Sequence, residues 1–323
     1  MSFSGEVKKE LCEQISPARH CKLAEISAII AFCGKLVVDK DQTRILKLQT
    51  ESTILTQKIF LLLKQVLRVN AELTTRMVSA KKNLYELTLS AEETGLVLLA
   101  CKLSEAEEEK NGCPLMVEQT MVTKNCCKRS FIRGAFLAAG SVSNPNKAYH
   151  FEIVVSQEKN GELLCEVMRS FAVDAKMITR KYHPVVYVKE GAQIVDLLNV
   201  MEAHVALMEF ENVRILKEMR NTINRKVNCE AANINKTVKA ASRQVEDILY
   251  IRDTVGLATL AKGLEEIALL RITYPEASLK ELGEMLNPPV GKSGVNHRLK
   301  KLSEIAEGLR EKNLLKNSSI CCM

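Results

Sequence analysis

The side chains best suited to chemistry with another molecule are crowded near the C-terminus: Lys292, Ser293, Asn296, His297, Arg298, Lys300 and Lys301. Asn pairs bidentately with adenine and Arg with guanine, while Lys and Ser suit phosphates. Residues 290–301 hold four basic side chains and no acid. At helical spacing, Val295, Leu299, Leu302, Ala306 and Leu309 fall on one face as core. Asn296, His297, Lys300 and Lys301 lie opposite, with Arg298 beside them. A helix that enters the major groove presents its first turns to base edges.

The elements that must position this face are legible upstream. Residues 257–273 read as a helix with Leu260, Leu264, Ile267 and Leu270 near one face, ended by Pro275. Ser278-Leu279-Lys280-Glu281 is a capping box, in which the Ser hydroxyl and the Glu three residues on satisfy free backbone N–H groups. The short helix that follows turns Leu279, Leu282 and Leu286 inward and stops at Asn287-Pro288-Pro289. Gly291-Lys292-Ser293-Gly294 restarts a helix, with Ser293 as its N-cap. The expected motif is a helix-turn-helix over residues 278–309, opening at Ser278 and closing at Leu309, with double-stranded DNA as its ligand. The alternative is a small helical bundle that binds protein.

Two sharper readings of these residues fail. Gly291-Lys292-Ser293 suggests a phosphate loop, but Leu286 stands where G-x-x-x-x-G-K-S needs its first glycine. His297 has no nucleophile or carboxylate around it in the sequence to make it a catalytic base.

The first two thirds of the chain carry a duplication. Two helical segments, residues 23–34 and 131–140, each end in Gly and carry small residues four apart: Ala24/Ala28 and Gly134/Ala138. Small residues at that spacing share a helix face and let two backbones approach. After the first come an extended stretch at 44–50, a helix at 52–69, strands at 73–79 and 84–90, and a helix from Ala91. After the second come 149–157, a helix at 162–172, strands at 176–180 and 185–189, and a helix at 192–201. Turns fall at Asp39-Lys40-Asp41 and Asn144-Pro145-Asn146. The acidic run at 105–109 reads as a solvated loop between repeats. The order is αββαββα twice, offset by about 106 residues. The expected fold class is α+β: a pseudo-twofold duplicated saddle with the small-residue helices at the dyad, then an all-α domain.

Residues 210–249 read as a long helical segment. Between Arg214 and Arg243 there are eight Lys/Arg and two Glu. A phosphate-contacting helix and a solvated connecting helix are equally open readings. The Asn residues at 221, 224, 228, 233 and 235 suggest a break near 228–235. The expected domains are 1–210 (repeats 20–105 and 126–205), a basic linker at 211–250, a helix-turn-helix domain at 251–312, and a disordered tail at 313–323.

The net charge of +7 is uneven: residues 212–323 hold 19 Lys/Arg against 13 Asp/Glu, residues 1–211 hold 27 against 26. The basic excess lies beside the motif, where it suits a polyanion. No apolar run reaches the roughly 18 residues of a membrane span, and the N-terminus lacks a signal peptide's apolar core. That makes the expected location cytoplasmic. The eleven cysteines include adjacent pairs at 126–127 and 321–322, but no C-x-x-C and no histidine at zinc-finger spacing. Reduced thiols are expected, and neither a metal nor a cofactor.

The duplicated helices resemble the paired motif helices of LAGLIDADG homing endonucleases. In that family an acid just before each Gly binds the metal that activates water. Here those positions are Cys33 and Ala139, neither a hard oxygen ligand. The resemblance therefore implies the scaffold without the chemistry, and no catalytic residue. Over nearly its whole length the chain further resembles the WhiA family. The carrying segments are residues 2–11, 131–145 and above all 277–302, including Pro288-Pro289-Val290-Gly291-Lys292-Ser293-Gly294-Val295-Asn296-His297-Arg298-Leu299. That resemblance implies a Gram-positive bacterium and a nucleoid-associated, non-enzymatic DNA-binding protein. Its implied roles are cell division, chromosome segregation and transcriptional regulation, including sporulation genes. A partner regulator or division protein, and no membrane, goes with it.

Overall fold

The computed structural model describes residues 2–38, 43–79, 82–106 and 112–320. The chain opens with a helix, α1 (Phe3–Glu13), capped by the Ser2 hydroxyl. It buries Phe3, Val7 and Leu11, four residues apart along one stripe. The first repeat follows: α2 (Arg19–Cys33), β1 (Gly34–Val38), β2 (Arg44–Thr50), α3 (Thr53–Leu62), β3 (Glu72–Ser79), β4 (Lys82–Thr88) and α4 (Ala91–Ala100). A hairpin, β5 (Leu103–Glu105) and β6 (Cys113–Val117), leads into the second repeat. That repeat is α5 (Asn125–Ala139), β7 (Gly140–Val142), β8 (Phe151–Val154), α6 (Glu158–Arg169), β9 (Lys176–Arg180), β10 (His183–Val188) and α7 (Gly191–Met201).

The duplication is visible in the strand orders. One sheet runs β3-β4-β2-β1-β6-β5 and the other β7-β8-β10-β9. With the extra hairpin set aside, the two orders are the same. The saddle is thus built from two sheets, one per repeat. Glu105 stands in β5 instead of a loop; residues 107–109 of the acidic run, like the turn at Asp39-Lys40-Asp41, lie outside the described residues. The second turn forms as expected, with the Asn146 N–H donating to Asn144 Oδ1 at 2.9 Å.

The helices α2 and α5 pack at the dyad. An ion-pair network is sealed between them. Glu25 receives Lys58 Nζ at 2.6 Å and Arg133 at 3.0 Å, all three side chains being at most 1% exposed. Arg133 also reaches Glu202 at 2.8 Å and the Ser16 hydroxyl at 2.8 Å. Lys58 donates to the carbonyls of Leu11 and Gln14 at 2.6 and 2.7 Å. Burial works against the charge on Arg133, but Glu25 and Glu202 outweigh it and raise its pKa. Lys58 is pushed down by burial against the pull of Glu25.

The rest of the chain is helical: α8 (His204–Thr254), α9 (Lys262–Thr273), α10 (Leu279–Glu284) and α11 (Lys292–Ile320). The break expected near 228–235 is absent, because α8 runs through it. Asn costs a helix only a few tenths of a kcal/mol, and no Gly or Pro lies in α8 to interrupt it. Likewise α11 continues to Ile320 where a disordered tail was expected from 313. Neither Gly nor Pro occurs between Leu309 and Ile320.

Compact units divide inside α8, as Met1–Glu218 and Met219–Met323, and not at 210 and 250. The C-terminal end of α8 is part of the second unit. Its Ile248 and Ile251 share a core with Leu264, Ile267, Leu282, Val295, Leu299 and Leu302.

Candidate nucleic-acid interface

The C-terminal unit sets α11 against α9 and α10. The capping box at α10 is complete: Ser278 Oγ accepts from the Glu281 N–H, and Glu281 Oε2 accepts from the Ser278 N–H at 2.7 Å. The bond from the Ser278 N–H, with a further one from the Ser278 hydroxyl, holds the Glu281 carboxyl below its ordinary value. Arg271, at the end of α9, is buried and donates to the Ala277 carbonyl at 2.6 Å and to Gln244 at 3.0 Å. It thereby fixes the loop into α10. Burial pushes its pKa down.

Between α10 and α11 the chain folds back over Gly283. The Val290 N–H donates to the Gly283 carbonyl at 2.9 Å. A Cβ at 283 would meet the Val290 carbonyl oxygen and come within 3.2 Å of Val295. Only glycine permits this closeness, so Gly283 sets the tightness of the turn. Its signal in the sequence is a lone glycine inside a six-residue helix. Leu286, where a phosphate loop would need glycine, is buried in the core.

Because α11 begins at Lys292, Ser293 lies inside the first turn and is not the N-cap. The carbonyl of Gly291 accepts from the N–H groups of Gly294 and Val295, and Gly291 takes the cap position. Val295, Leu299, Leu302 and Ala306 are buried as expected, and Leu309 is partly so. Lys292, Ser293, Asn296, His297, Lys300 and Lys301 are all exposed. They share one side of the helix. Lys300 faces Glu304 at 4.0 Å, a loose pair with both side chains well exposed.

Arg298 departs from this group. Its guanidinium lies over Gly263 of α9, donating to that residue's carbonyl at 3.3 Å. The reason is positional: 298 is three residues after Val295 and four before Leu302, on the border of the buried stripe. Arg298, expected from the sequence among the base readers, thus makes a contact from α11 to α9 while remaining half-exposed.

In the N-terminal unit, the positions of the nuclease acids lie at the C-terminal ends of α2 and α5. Cys33 donates to the Ile29 carbonyl at 3.1 Å, and burial pushes its thiol up to about 12. Ala139 offers nothing to a metal. The nearby Lys8 ammonium sits 5.7 Å above the Phe136 ring. Neither end residue supplies a carboxylate, so the two-acid arrangement of a homing endonuclease is not made.

A duplicated homing-endonuclease-like scaffold joined to a helix-turn-helix domain defines a class of protein: a degenerate LAGLIDADG-type fold carrying a DNA-binding module. The family descriptions that match the chain divide it the same way. They are "WhiA N-terminal LAGLIDADG-like domain" over residues 19–103, "WhiA LAGLIDADG-like domain" over 128–220 and "WhiA C-terminal HTH domain" over 223–306. The chain is 56% identical over 314 residues to the probable cell division protein WhiA of Lachnoclostridium phytofermentans, spanning 96% of this chain and all of that one. It is 47% identical to the like-named protein of Alkaliphilus oremlandii, over 96% of this chain and 98% of the relative. The chain belongs to the WhiA family. The crystal structure of full-length DUF199/WhiA from Thermatoga maritima shares the fold, with a TM-score of 0.57 at 24% identity over 95% of this chain and 98% of that one.

Proposed function

We propose that the chain is a non-enzymatic, sequence-dependent DNA-binding protein that acts in cell division, as the names of its relatives suggest for them. The observation that carries the DNA contact is the outer face of α11. It presents Lys292, Ser293, Asn296, His297, Lys300 and Lys301 to solvent with no carboxylate from 292 to 301. Asn296 and His297 are the base-edge readers, and the lysines and Ser293 hold phosphates. The exposed cations of α8, among them Arg225, Lys226, Lys236 and Lys239, add to the field that draws in duplex.

Binding to duplex, measured across a salt series, tests this reading. Replacing Lys300 and Lys301 with Ala lowers the slope of log affinity against log salt by about one for each phosphate no longer neutralised. An unchanged slope removes α11 as the interface. Incubation of duplex with the protein and Mg²⁺ or Mn²⁺ leaves the DNA intact on this reading, since Cys33 and Ala139 supply no ligand for a catalytic ion. Cleavage overturns the non-enzymatic assignment.

Roles in chromosome segregation and in transcription, including sporulation genes, fall within the proposal. Mapping bound sites over the host chromosome separates them, promoter peaks supporting a regulator and broad coverage a nucleoid-associated role. No helix among the described residues is long and apolar enough to cross a membrane.

A second reading, a docking surface for a division or regulatory protein, has one observation in its favour. Ile223, Val227, Ile234 and Val238 are each more than half exposed and recur along α8 at intervals of four, seven and four. That spacing places them on one helix face. Capture of a partner by the full chain, lost when Val227 and Ile234 become Lys, supports it; it is compatible with DNA binding.

A further inference from the structure

The first turns of α2 and α5 bring four ligand-bearing side chains to one point. His20 and Cys21 are the second and third residues of α2; Cys126 and Cys127 are the second and third of α5. The offset of the duplication, about 106 residues, carries His20 onto Cys126 and Cys21 onto Cys127. The pseudo-twofold axis that pairs the two helices therefore makes the four side chains meet across it. One ligand atom from each lies within 4.8 Å of every other. His20 Nδ1 is 3.2 Å from Cys127 Sγ, 3.3 Å from Cys21 Sγ and 3.9 Å from Cys126 Sγ.

We propose that His20, Cys21, Cys126 and Cys127 bind a zinc ion as a four-coordinate Cys₃His site. The spacing fits the ion. With Zn–S near 2.3 Å and Zn–N near 2.0 Å, a tetrahedron has N···S edges of about 3.5 Å and S···S edges of about 3.8 Å. The three N···S distances straddle that value, and every pair of ligand atoms lies within 4.8 Å. The donor set selects the metal: three thiolates and an imidazole suit Zn²⁺, and not the hard cations Mg²⁺ and Ca²⁺, which take oxygen ligands. Each thiol releases its proton to solvent as its Zn–S bond forms, and no electron is transferred.

The surroundings fit the charge. Three thiolates around Zn²⁺ carry a net −1. Both helices point their N-terminal ends at the cluster, and neither Ala18 nor Lys124 at the cap positions fills that end with a side-chain hydrogen bond. The partial positive charge of two helix ends therefore lies beside the sulfurs, against the burial that pushes the Cys21 and Cys127 thiols up. Cys21 and Cys127 are buried while His20 and Cys126 are exposed. The ion has a way in through the cleft that His20, Cys21, Cys126 and Arg129 line. Four protein ligands leave no open position, so the site is structural, not catalytic. It joins one repeat to the other at the end of the helix pair opposite Cys33 and Ala139, about 20 Å away along α2.

The test is the metal content of full-length protein purified under reducing conditions, measured by inductively coupled plasma mass spectrometry. One zinc per chain is expected in the wild type and in a Cys165→Ser/Cys229→Ser control. The content falls to background in Cys21→Ser/Cys126→Ser. Because that variant could fail to fold, the metal-stripped wild type is also titrated with Co²⁺. Tetrahedral thiolate coordination then gives strong visible d–d bands and thiolate-to-cobalt charge transfer. Zinc at background in the wild type, or cobalt bound without those bands, overturns the proposal.

Discussion

Gly134 in α5 lies directly on the carbonyl oxygen of Glu25 in α2, so close that a Cβ at 134 would sit 2.4 Å from that oxygen and 2.9 Å from the Cβ of Ala28. The closeness explains how a charged network is sealed at the dyad. Two backbones in contact leave no room for water, and the Glu25 carboxylate must be answered from Lys58 and Arg133.

Gly134→Ala therefore forces the two central helices apart. The atom it strikes is backbone, which cannot step aside. A loss of about 1–3 kcal/mol is expected, the usual cost of overpacking, read as a lower urea midpoint for the full-length chain. An unchanged midpoint would show that the helices are less tightly docked than described.

Removing one member of the charged network leaves its partners buried and unanswered. Glu25→Gln leaves the Lys58 charge to the Leu11 and Gln14 carbonyls, and Arg133 to Glu202 and the Ser16 hydroxyl. A loss of about 3–5 kcal/mol is expected. Replacing Glu25, Lys58 and Arg133 together by apolar residues of similar volume is expected to cost less than Glu25→Gln alone. Denaturant unfolding of the two proteins checks the order.

Arg298 and Asn296, two residues apart on α11, are expected to fail differently. Asn296→Ala leaves the fold alone and weakens discrimination between duplexes, at about 1–3 kcal/mol for a missing bidentate pair. Arg298→Met keeps the stem that packs on α9 and loses only the bond to Gly263. It lowers thermal stability slightly and retains the salt dependence of binding. A loss of sequence preference in Arg298→Met with no change in melting would return that residue to the DNA.

The capping box gives a pH dependence with a defined sign. The Glu281 carboxyl is held below its ordinary 4.5 by the hydrogen bonds from Ser278. Between those two values the unfolded chain binds the extra proton. The contribution is present above about pH 4.5 and is lost as pH falls through the lower folded value. The stability difference between wild type and Glu281→Gln is expected to shrink toward zero under acid. Ser278→Ala, which removes the cap at any pH, costs about 1 kcal/mol.

Much of the fold could be read from local signals. The strand at Arg44–Thr50 follows from alternation, and the capping box at Ser278 marks the start of α10. What escaped were properties of pairs distant in sequence. The burden carried by Gly283 is set by Val290 folding back over it, and the role of Arg298 by a carbonyl in another helix. The opposite error came at Asn228 to Asn235, where weak local propensity suggested a break. A helix lacking Gly and Pro tolerates several poor formers, and α8 continues. The His20, Cys21, Cys126 and Cys127 cluster shows no zinc-finger spacing in the sequence. It emerges only when the repeat offset is applied to the cysteines as well as to the helices.

The strand orders have a consequence for solubility. Duplicating a small sheet also duplicates its open edges, and each bare edge is a template on which another chain can pair. The two repeats have shielded the matching edge by different means. β1 is covered by the hairpin partner β6, at Lys35↔Pro114 and Leu36↔Cys113. β7 instead has α1 beside it, with Ser4 Oγ accepting from the Val142 N–H at 3.3 Å. The first helix is in this sense a sheath. A chain shortened to begin after it would keep every residue of both repeats and of the helix-turn-helix, yet carry an adhesive strip along β7 that draws copies of itself into aggregates.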